Sequence, residues 1–299
     1  MATATSERMD LASIRVGAGR RRRPSIGRYV QFVALLIGAF IFLFPFYYMV
    51  VGALQREPNT DLSGAFPNPA NLTLDNLVAI HQSIDLPRTL LNSGIFTGGV
   101  LACTLVFGLL AGYALGQLEF RGRQAIFYTM LLLLIVPFQL LMIPLYVVIA
   151  RDLGLADTHI GMILPFAINT TAVFIFRQFF TQIPRDLFEA ARIDGASEVA
   201  ILTRVVVPIT RPVILTAMLL TFIGPWNEFL WPFLITKRLE LEPLAVALAN
   251  YISTVASRAA NPFGSILAGA TVLAVPVIVL FLIFQRQFIQ SELGSAVKG

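Results

Sequence analysis

Apolar runs free of Asp, Glu, Lys, Arg and His dominate this chain, and short polar segments separate them. The runs cover 29–55, 89–118, 124–150, 160–176, 212–227 and 259–285. A bilayer core takes about 20 apolar residues of α-helix. The first three runs and the last exceed that length unaided. The run at 160–176 reaches it through Phe179 and Phe180 beyond Arg177, and the run at 212–227 continues as 229–235 once Glu228 is admitted. The pattern predicts an all-α integral membrane protein with six transmembrane helices. The spans lie at about 29–55, 88–118, 124–150, 159–182, 208–235 and 262–286, within one membrane domain at 25–290. The runs lack the period-2 alternation of barrel strands. Two further stretches fail the test. Gly64, Pro67, Asn68, Pro69, Asn71, Asp75 and Asn76 make 62–80 read as loop, and Glu240, Glu242 and Pro243 make 239–254 read as a helix or loop outside the membrane.

Composition narrows the class. Of 299 residues, 57% are hydrophobic and 13% are charged, against roughly 25% charged in a soluble domain. That balance excludes a cytosolic enzyme, a nucleic-acid binder and a disordered protein. The basic residues then set orientation. With the N-terminus inside, the run at 20–23, Arg121, Arg123, Arg177, Arg185, Arg192, Arg204 and Arg211 are cytoplasmic. The outer side holds fewer: Arg56, Arg88, Arg151, Lys237, Arg238 and Arg258. Both termini are expected in the cytoplasm, with tails at 1–24 and 291–299. The first tail is expected to be disordered, its basic run lying beside anionic lipid rather than nucleic acid. The run at 29–55 is too long for the apolar core of a signal peptide and reads as an uncleaved first helix. One cysteine, Cys103, and two histidines, His81 and His159, provide neither a disulfide framework nor a metal cluster. No helix places a His base beside a Ser at depth, so an intramembrane protease is not indicated.

Within the spans, Thr104, Gly108, Gly112 and Gly116 recur every four residues and form one small face for close helix packing. Pro45, Pro137, Pro144, Pro165, Pro225, Pro232 and Pro276 are expected to kink their helices. Four polar side chains in apolar surroundings are translocation-pathway candidates: Gln139, Asn169, Asn227 and Glu228. Each can serve a solute hydroxyl or a neighbouring helix. Glu228, the one carboxyl inside a span, either marks a pathway or is held by an Arg or a backbone amide near the outer edge.

The segment 183–207, between spans four and five, carries more organisation than a connection needs. Pro184 suits a first helical turn, and Asp186 favours the same end through the helix dipole. Leu187, Ala190, Ala191 and Asp194 follow i, i+3, i+4, i+7 spacing. Gly195 suits a left-handed C′ position, and Ser197 suits the N-cap of a second short helix. Pro208 leads into span five. The result is a helix, a glycine turn and a helix. Small Ala190 and Ala191 allow a deep seat in a partner's groove, with Phe188 and Ile193 as anchors. The mixed charges of Arg185, Asp186, Glu189, Arg192 and Asp194 suit protein better than a lipid surface.

Glu189-Ala190-Ala191, then Gly195, then Val205-x-Val207-Pro208 resemble the EAA loop of ABC-importer permease subunits. The surrounding 191–197 resembles the carbohydrate branch, in particular the second permease subunit of maltose-type systems. Asn92-Ser93, Gly112-Tyr113-Ala114-Leu115 and the segment 226–232 extend the likeness over about 30–290. The resemblance implies a non-catalytic permease subunit of the bacterial inner membrane. It implies a second homologous permease subunit, two cytoplasmic ATPase subunits that use ATP and Mg, and an extracytoplasmic solute-binding protein as partners. Leu187, Phe188, Glu189, Ala190, Ala191, Asp194, Gly195 and Pro208 would couple to the ATPase, and the outer segments 56–87 and 236–262 would face the binding protein. A sugar is the implied solute; an amino acid, peptide or polyamine importer and an ion-coupled secondary transporter are the alternatives. An ATPase within this chain is excluded independently. A P-loop needs Gly-Lys-Ser/Thr, and the only lysines, Lys237 and Lys298, follow Thr236 and Val297.

Overall fold

The computed structural model describes residues 26–59, 61–255 and 262–296. The expected tail at 1–24 lies outside them, as do the last residues of the C-terminal tail. The chain divides after Tyr47 into two units. The first contributes the start of α1 (Ile26–Ala53), where Phe32, Leu35, Phe40 and Phe42 are exposed, as side chains facing lipid are.

Among the described residues the second unit is mainly helical. Its elements are α2 (Asp75–Ile84), α3 (Leu86–Gln117), α4 (Arg123–Leu133), α5 (Phe138–Tyr146), α6 (His159–Ile163), α7 (Thr170–Phe180), α8 (Arg185–Ile193), α9 (Glu198–Ile201), α10 (Val207–Ile209), α11 (Arg211–Asn227), α12 (Leu230–Ile235), α13 (Leu244–Asn250) and α14 (Pro262–Ala296). Among the described residues the one extended pairing is an isolated antiparallel bridge between Gln55 and Leu72.

Three helices, at Gly27–Ala53, Leu86–Gln117 and Pro262–Gln285, are long and apolar enough to cross a membrane alone. The other apolar helices are bent. Arg123–Leu133 and Phe138–Asp152 meet at 99°, His159–Phe166 and Thr170–Phe180 at 46°, and Glu198–Ile209 and Arg211–Asn227 at 85°. The third span expected at 124–150 is broken at Pro137, one of the prolines expected to kink their helices, and its extended ψ of 128° starts α5 anew. Proline lacks the N–H that would continue the ladder and restricts the residue before it.

α3 is the central helix, and its small face meets α7. A Cβ on Gly112 would stand 2.6 Å from Phe176 Cβ, and one on Gly108 3.1 Å from Phe176 Cε2. The expected close packing along Gly108, Gly112 and Gly116 is thus realised. Around that seam Leu109, Tyr113, Phe176 and Phe180 form a core with Ile183, Phe188, Ile201 and Val206 from the segment that follows α7. Toward the other end of α3, Phe96 and Val100 pack with Met142, Met162, Trp231 and Ile235. A third cluster joins Ile80 of α2 to Leu248, Tyr251 and Ala268.

One stretch differs from expectation, and a second, read as a helix or loop, is a helix. The region read as loop through 80 already turns helical at Asp75. Asn76 ties this helix to the chain at 53–55: it is buried, and its side-chain amide donates to the carbonyls of Ala53 and Gln55 at 2.9 and 2.7 Å. The segment 239–254 contains α13, and Leu244, Val246, Ala247 and Leu248 are buried. Its apolar side is covered by this chain itself, while Leu239 and Ile252 are exposed.

Candidate functional site

The segment 183–207 folds much as its residues dictate. Pro184 has φ −55° and ψ 135° and precedes α8 as its N-cap rather than entering the first turn. Its extended ψ turns the chain before Arg185. α8 ends in a Schellman motif: the Gly195 N–H donates to the Arg192 carbonyl and the Ala196 N–H to the Ala191 carbonyl, both at 3.0 Å. Gly195 has φ +80°, a conformation that costs a residue with a Cβ about 1–2 kcal/mol. Ser197 Oγ then accepts from the Ala200 N–H at 3.3 Å and caps α9. Pro208 lies exposed in α10, just before the 85° bend into α11.

The faces of α8 divide the candidate coupling residues. Leu187, Glu189, Ala190 and Asp194 are exposed, Ala191 is half-buried, and Ile193 is 86% exposed. Phe188 does not serve as an outward anchor. It is 2% exposed, with its ring centroid 6.3 Å from that of Tyr113. The reason is rotational: Phe188 stands about 100° around the helix from Leu187 and so meets the core that α3 and α7 offer.

A polar chain fastens this segment to α3. Arg192 Nε donates to Glu198 Oε1 at 2.8 Å, and the Tyr113 hydroxyl donates to Glu198 Oε2 at 2.5 Å. The Arg192 hydrogen bond first, and the Tyr113 hydroxyl second, hold the Glu198 carboxyl below the usual carboxylate range. Nothing in the spacing of 183–207 reveals this link. Its one visible trace is a tyrosine at the end of an apolar helix, next to the basic 121–123.

Two of the four pathway candidates share a cleft of about 320 Å³ between α7 and α11. Asn169 and Glu228 line it together with Phe166, Thr221, Gly224 and Pro225. Asn169 is partly committed to the fold: its Oδ1 accepts from the Ala172 N–H at 3.0 Å, capping α7, and its Nδ2 donates to Thr221 Oγ1 at 3.3 Å. Glu228 sits where α11 stops and α12 has not begun, and its Oε1 accepts from the Trp231 N–H at 3.2 Å. Of the two restraints expected for it, the backbone amide is the one found. Gln139 and Asn227 do not join the cleft. Gln139 is exposed on α5, beyond the Pro137 break, and Asn227 is exposed with its amide turned to the Ile223 carbonyl at 2.9 Å. Thr221 is absent from the sequence candidates, although its seven-residue spacing from Glu228 puts both on one helix face.

Comparison with known proteins bears on the whole of this arrangement. A family described as "Binding-protein-dependent transport system inner membrane component" matches residues 105–292, from the second half of α3 through α14. The chain belongs to this family. It is a multi-pass permease subunit of an ABC importer in the inner membrane, and its relatives are transport subunits rather than enzymes. The arabinooligosaccharides transport system permease protein of Halalkalibacterium halodurans is 31% identical to this permease over 94% of this chain and 100% of its own length. The lactose transport system permease protein of Rhizobium radiobacter is 32% identical over 92% and 97%. The trehalose transport system permease protein of Mycobacterium tuberculosis is 35% identical over 83% and 90%. Among solved structures, a bacterial ABC transporter involved in the import of the acidic polysaccharide alginate superposes with a TM-score of 0.76. It covers 89% of this permease and 97% of its own chain at 24% identity, a likeness of fold.

Proposed function

We propose that this permease forms half of the translocation pathway for an uncharged sugar and takes its energy from separate ATPase subunits through the segment 183–207. The observation that carries the reading is that segment itself. A capped helix, a left-handed glycine and a second helix are seated on the α3–α7 core, yet Leu187, Ile193 and Val199 remain exposed. Together, exposed apolar side chains on α8 and α9 offer a surface that a partner protein can cover. Two cytoplasmic ATPase subunits, using ATP and Mg, would seat there, and their closure would move α8 as a unit with its groove. A second permease subunit would complete the pathway, and an extracytoplasmic binding protein would deliver the solute. In this reading the chain crosses the membrane six times, through the three long helices, the two bent pairs α4–α5 and α6–α7, and α11 continued by α12. Both termini then lie in the cytoplasm.

The cleft supports a neutral solute. Asn169, Thr221 and Glu228 offer hydrogen-bonding groups to hydroxyls, and no Lys or Arg is among the residues lining it. An anion moved into such a site would be buried without a counter-charge, which is costly. Some relatives are named as sn-glycerol-3-phosphate permeases, including one from Agrobacterium fabrum at 29% identity. The cleft favours the sugar-importing relatives over these. Uptake of labelled arabinotriose, lactose, trehalose and glycerol 3-phosphate, in a strain lacking this gene and in the same strain complemented, tests the reading. Restoration of uptake for one of the neutral sugars is expected. Restoration for glycerol 3-phosphate alone would reject the sugar assignment and leave the permease standing.

A further inference from the structure

α3 differs from the other long helices. α1 and α14 contain Pro45 and Pro276 within their lengths, whereas the only proline of α3, Pro87, lies in its first turn. α3 is also fastened by polar side chains near both ends. At one end Tyr113, 3% exposed, holds Glu198 of α9, which holds Arg192 of α8. At the other end Asn92, 4% exposed, donates from Nδ2 to the carbonyls of Glu240 and Glu242 at 2.8 and 3.1 Å. Next to it Ser93 Oγ accepts from the Leu244 N–H at 2.8 Å, which ties α3 to the start of α13. The two attachments are about 31 Å apart at 1.5 Å per residue, the thickness of a bilayer core.

We infer that α3 is a rigid link that carries movement between the coupling segment on one side of the membrane and the 239–250 segment on the other, with Tyr113 and Asn92 as the positioning residues at its two attachments. The inference rests on the coupling role proposed for 183–207. Three features favour transmission over simple packing. The Tyr113 hydroxyl reaches past its ring's apolar contacts to a carboxylate shared with α8. Asn92 serves two carbonyls of a segment remote in sequence, so a shift of α3 along its axis must either drag that segment or break both bonds. Finally, α7 braces the shaft between the attachments, since Phe176 fills the faces of Gly108 and Gly112. Helices of this kind move as units, because packed cores do not deform continuously.

The test uses the full complex with the sister and ATPase subunits, all free of other cysteines. Cys103 is the single native cysteine, so Cys103→Ser with Leu239→Cys gives one labelling site at a position 74% exposed beside the far attachment. A fluorescent maleimide there reports on the outer segment when the non-hydrolysable ATP analogue AMP-PNP, with Mg, is added at the ATPases. An emission change is expected in the labelled parent. It is expected to fall at least about fivefold, the lower end of typical coupling between sites, in Tyr113→Phe and in Asn92→Ala, with no further fall in the double variant. Size-exclusion chromatography checks assembly, and Glu198→Ala reads the same attachment if Tyr113→Phe does not assemble. A full change in any of these intact variants, or no change in the labelled parent, would overturn the link. Gly195→Asp separates the two readings. If that variant loses the change while Tyr113→Phe keeps it, α3 is not the link but the coupling role of 183–207 stands. If Gly195→Asp itself keeps the change, the coupling role fails and the inference fails with it.

Discussion

The segments at 183–207 and 236–255 are both connections between apolar helices, both contain short capped helices, and both are fastened to α3. They finish their surfaces in opposite ways. The first turns Phe188, Ile201 and Val206 inward but leaves Leu187, Ile193 and Val199 in the open. The second buries Leu244, Val246, Ala247, Leu248 and Tyr251 within its own chain and exposes Leu239 and Ile252 on either side of α13. In the proposed reading the first is half a joint that another protein completes, whereas α13 of the second is covered by its own chain. Hydrophobicity alone does not separate them. What separates them is how much of the helix face the rest of the chain covers.

The contrast can be broken from the open side first. Glu189→Lys or Gly195→Asp should leave the complex in the membrane yet reduce uptake more than about tenfold, while ATP hydrolysis continues without solute transport. Side-by-side assays of uptake and phosphate release in proteoliposomes check this, and normal uptake by both variants would remove the coupling role. On the closed side the same kind of change should strike the fold instead. Leu244→Asn places an amide where the side chain is fully buried and should cost about 2–4 kcal/mol. Ile193→Asn, at 86% exposure, should shift stability by less than about 0.5 kcal/mol and weaken ATPase association. Thermal unfolding in detergent and co-purification of the ATPase distinguish the pair, and equal loss of stability in both would erase the distinction.

Smaller effects sharpen it. Gly112→Ala, whose new methyl would press on Phe176 at 2.6 Å, should cost about 1–3 kcal/mol through overpacking, read as a lowered Tm. The smallest expected effect lies in the segment 236–255. Burial raises the Glu242 carboxyl above its ordinary range, against a weaker opposing effect from the Asn250 amide. A raised folded-state pKa in an acid favours the protonated form, so Glu242 stabilises most at low pH. That contribution falls as pH rises from the ordinary carboxylate value through the raised one. Glu242→Gln keeps an acceptor for Asn250 and should flatten the slope of Tm over that interval. Glu198, held down by Arg192 and Tyr113, should behave oppositely: its contribution is present at neutral pH and lost only as pH falls through its lowered value.

Patterns with local causes are legible in the order of residues alone. Gly195, Ser197 and the stripe at 108, 112 and 116 take their conformations from chemistry within a few residues or from one adjacent helix. So do the long apolar runs. The bends are only half visible there: Pro137 announces a kink but not its 99°, since the angle depends on what the two arms pack against. Phe188 is easily mistaken for an outward anchor, because its position relative to Leu187 shows which way it points but not that α3 and α7 stand there. Asn169 and Glu228 stand out as isolated polar residues, yet their meeting across α7 and α11 is a tertiary fact. Asn92 and Tyr113 bond to partners far off in sequence, beyond the reach of any spacing rule.

The gap between α11 and α12 carries one more consequence. At Glu228 and Phe229 the helical ladder stops and restarts, leaving main-chain groups that a hydrocarbon environment cannot serve. Irregular backbone at such depth persists only against protein or beside water, and Glu228 is half-buried on the wall of the cleft. In the reading proposed above, water in the cleft would serve these groups before any solute arrives. A sugar entering it would then exchange places with water and swap one set of hydroxyl partners for another, so the passage would need no tight grip on its cargo to carry it through.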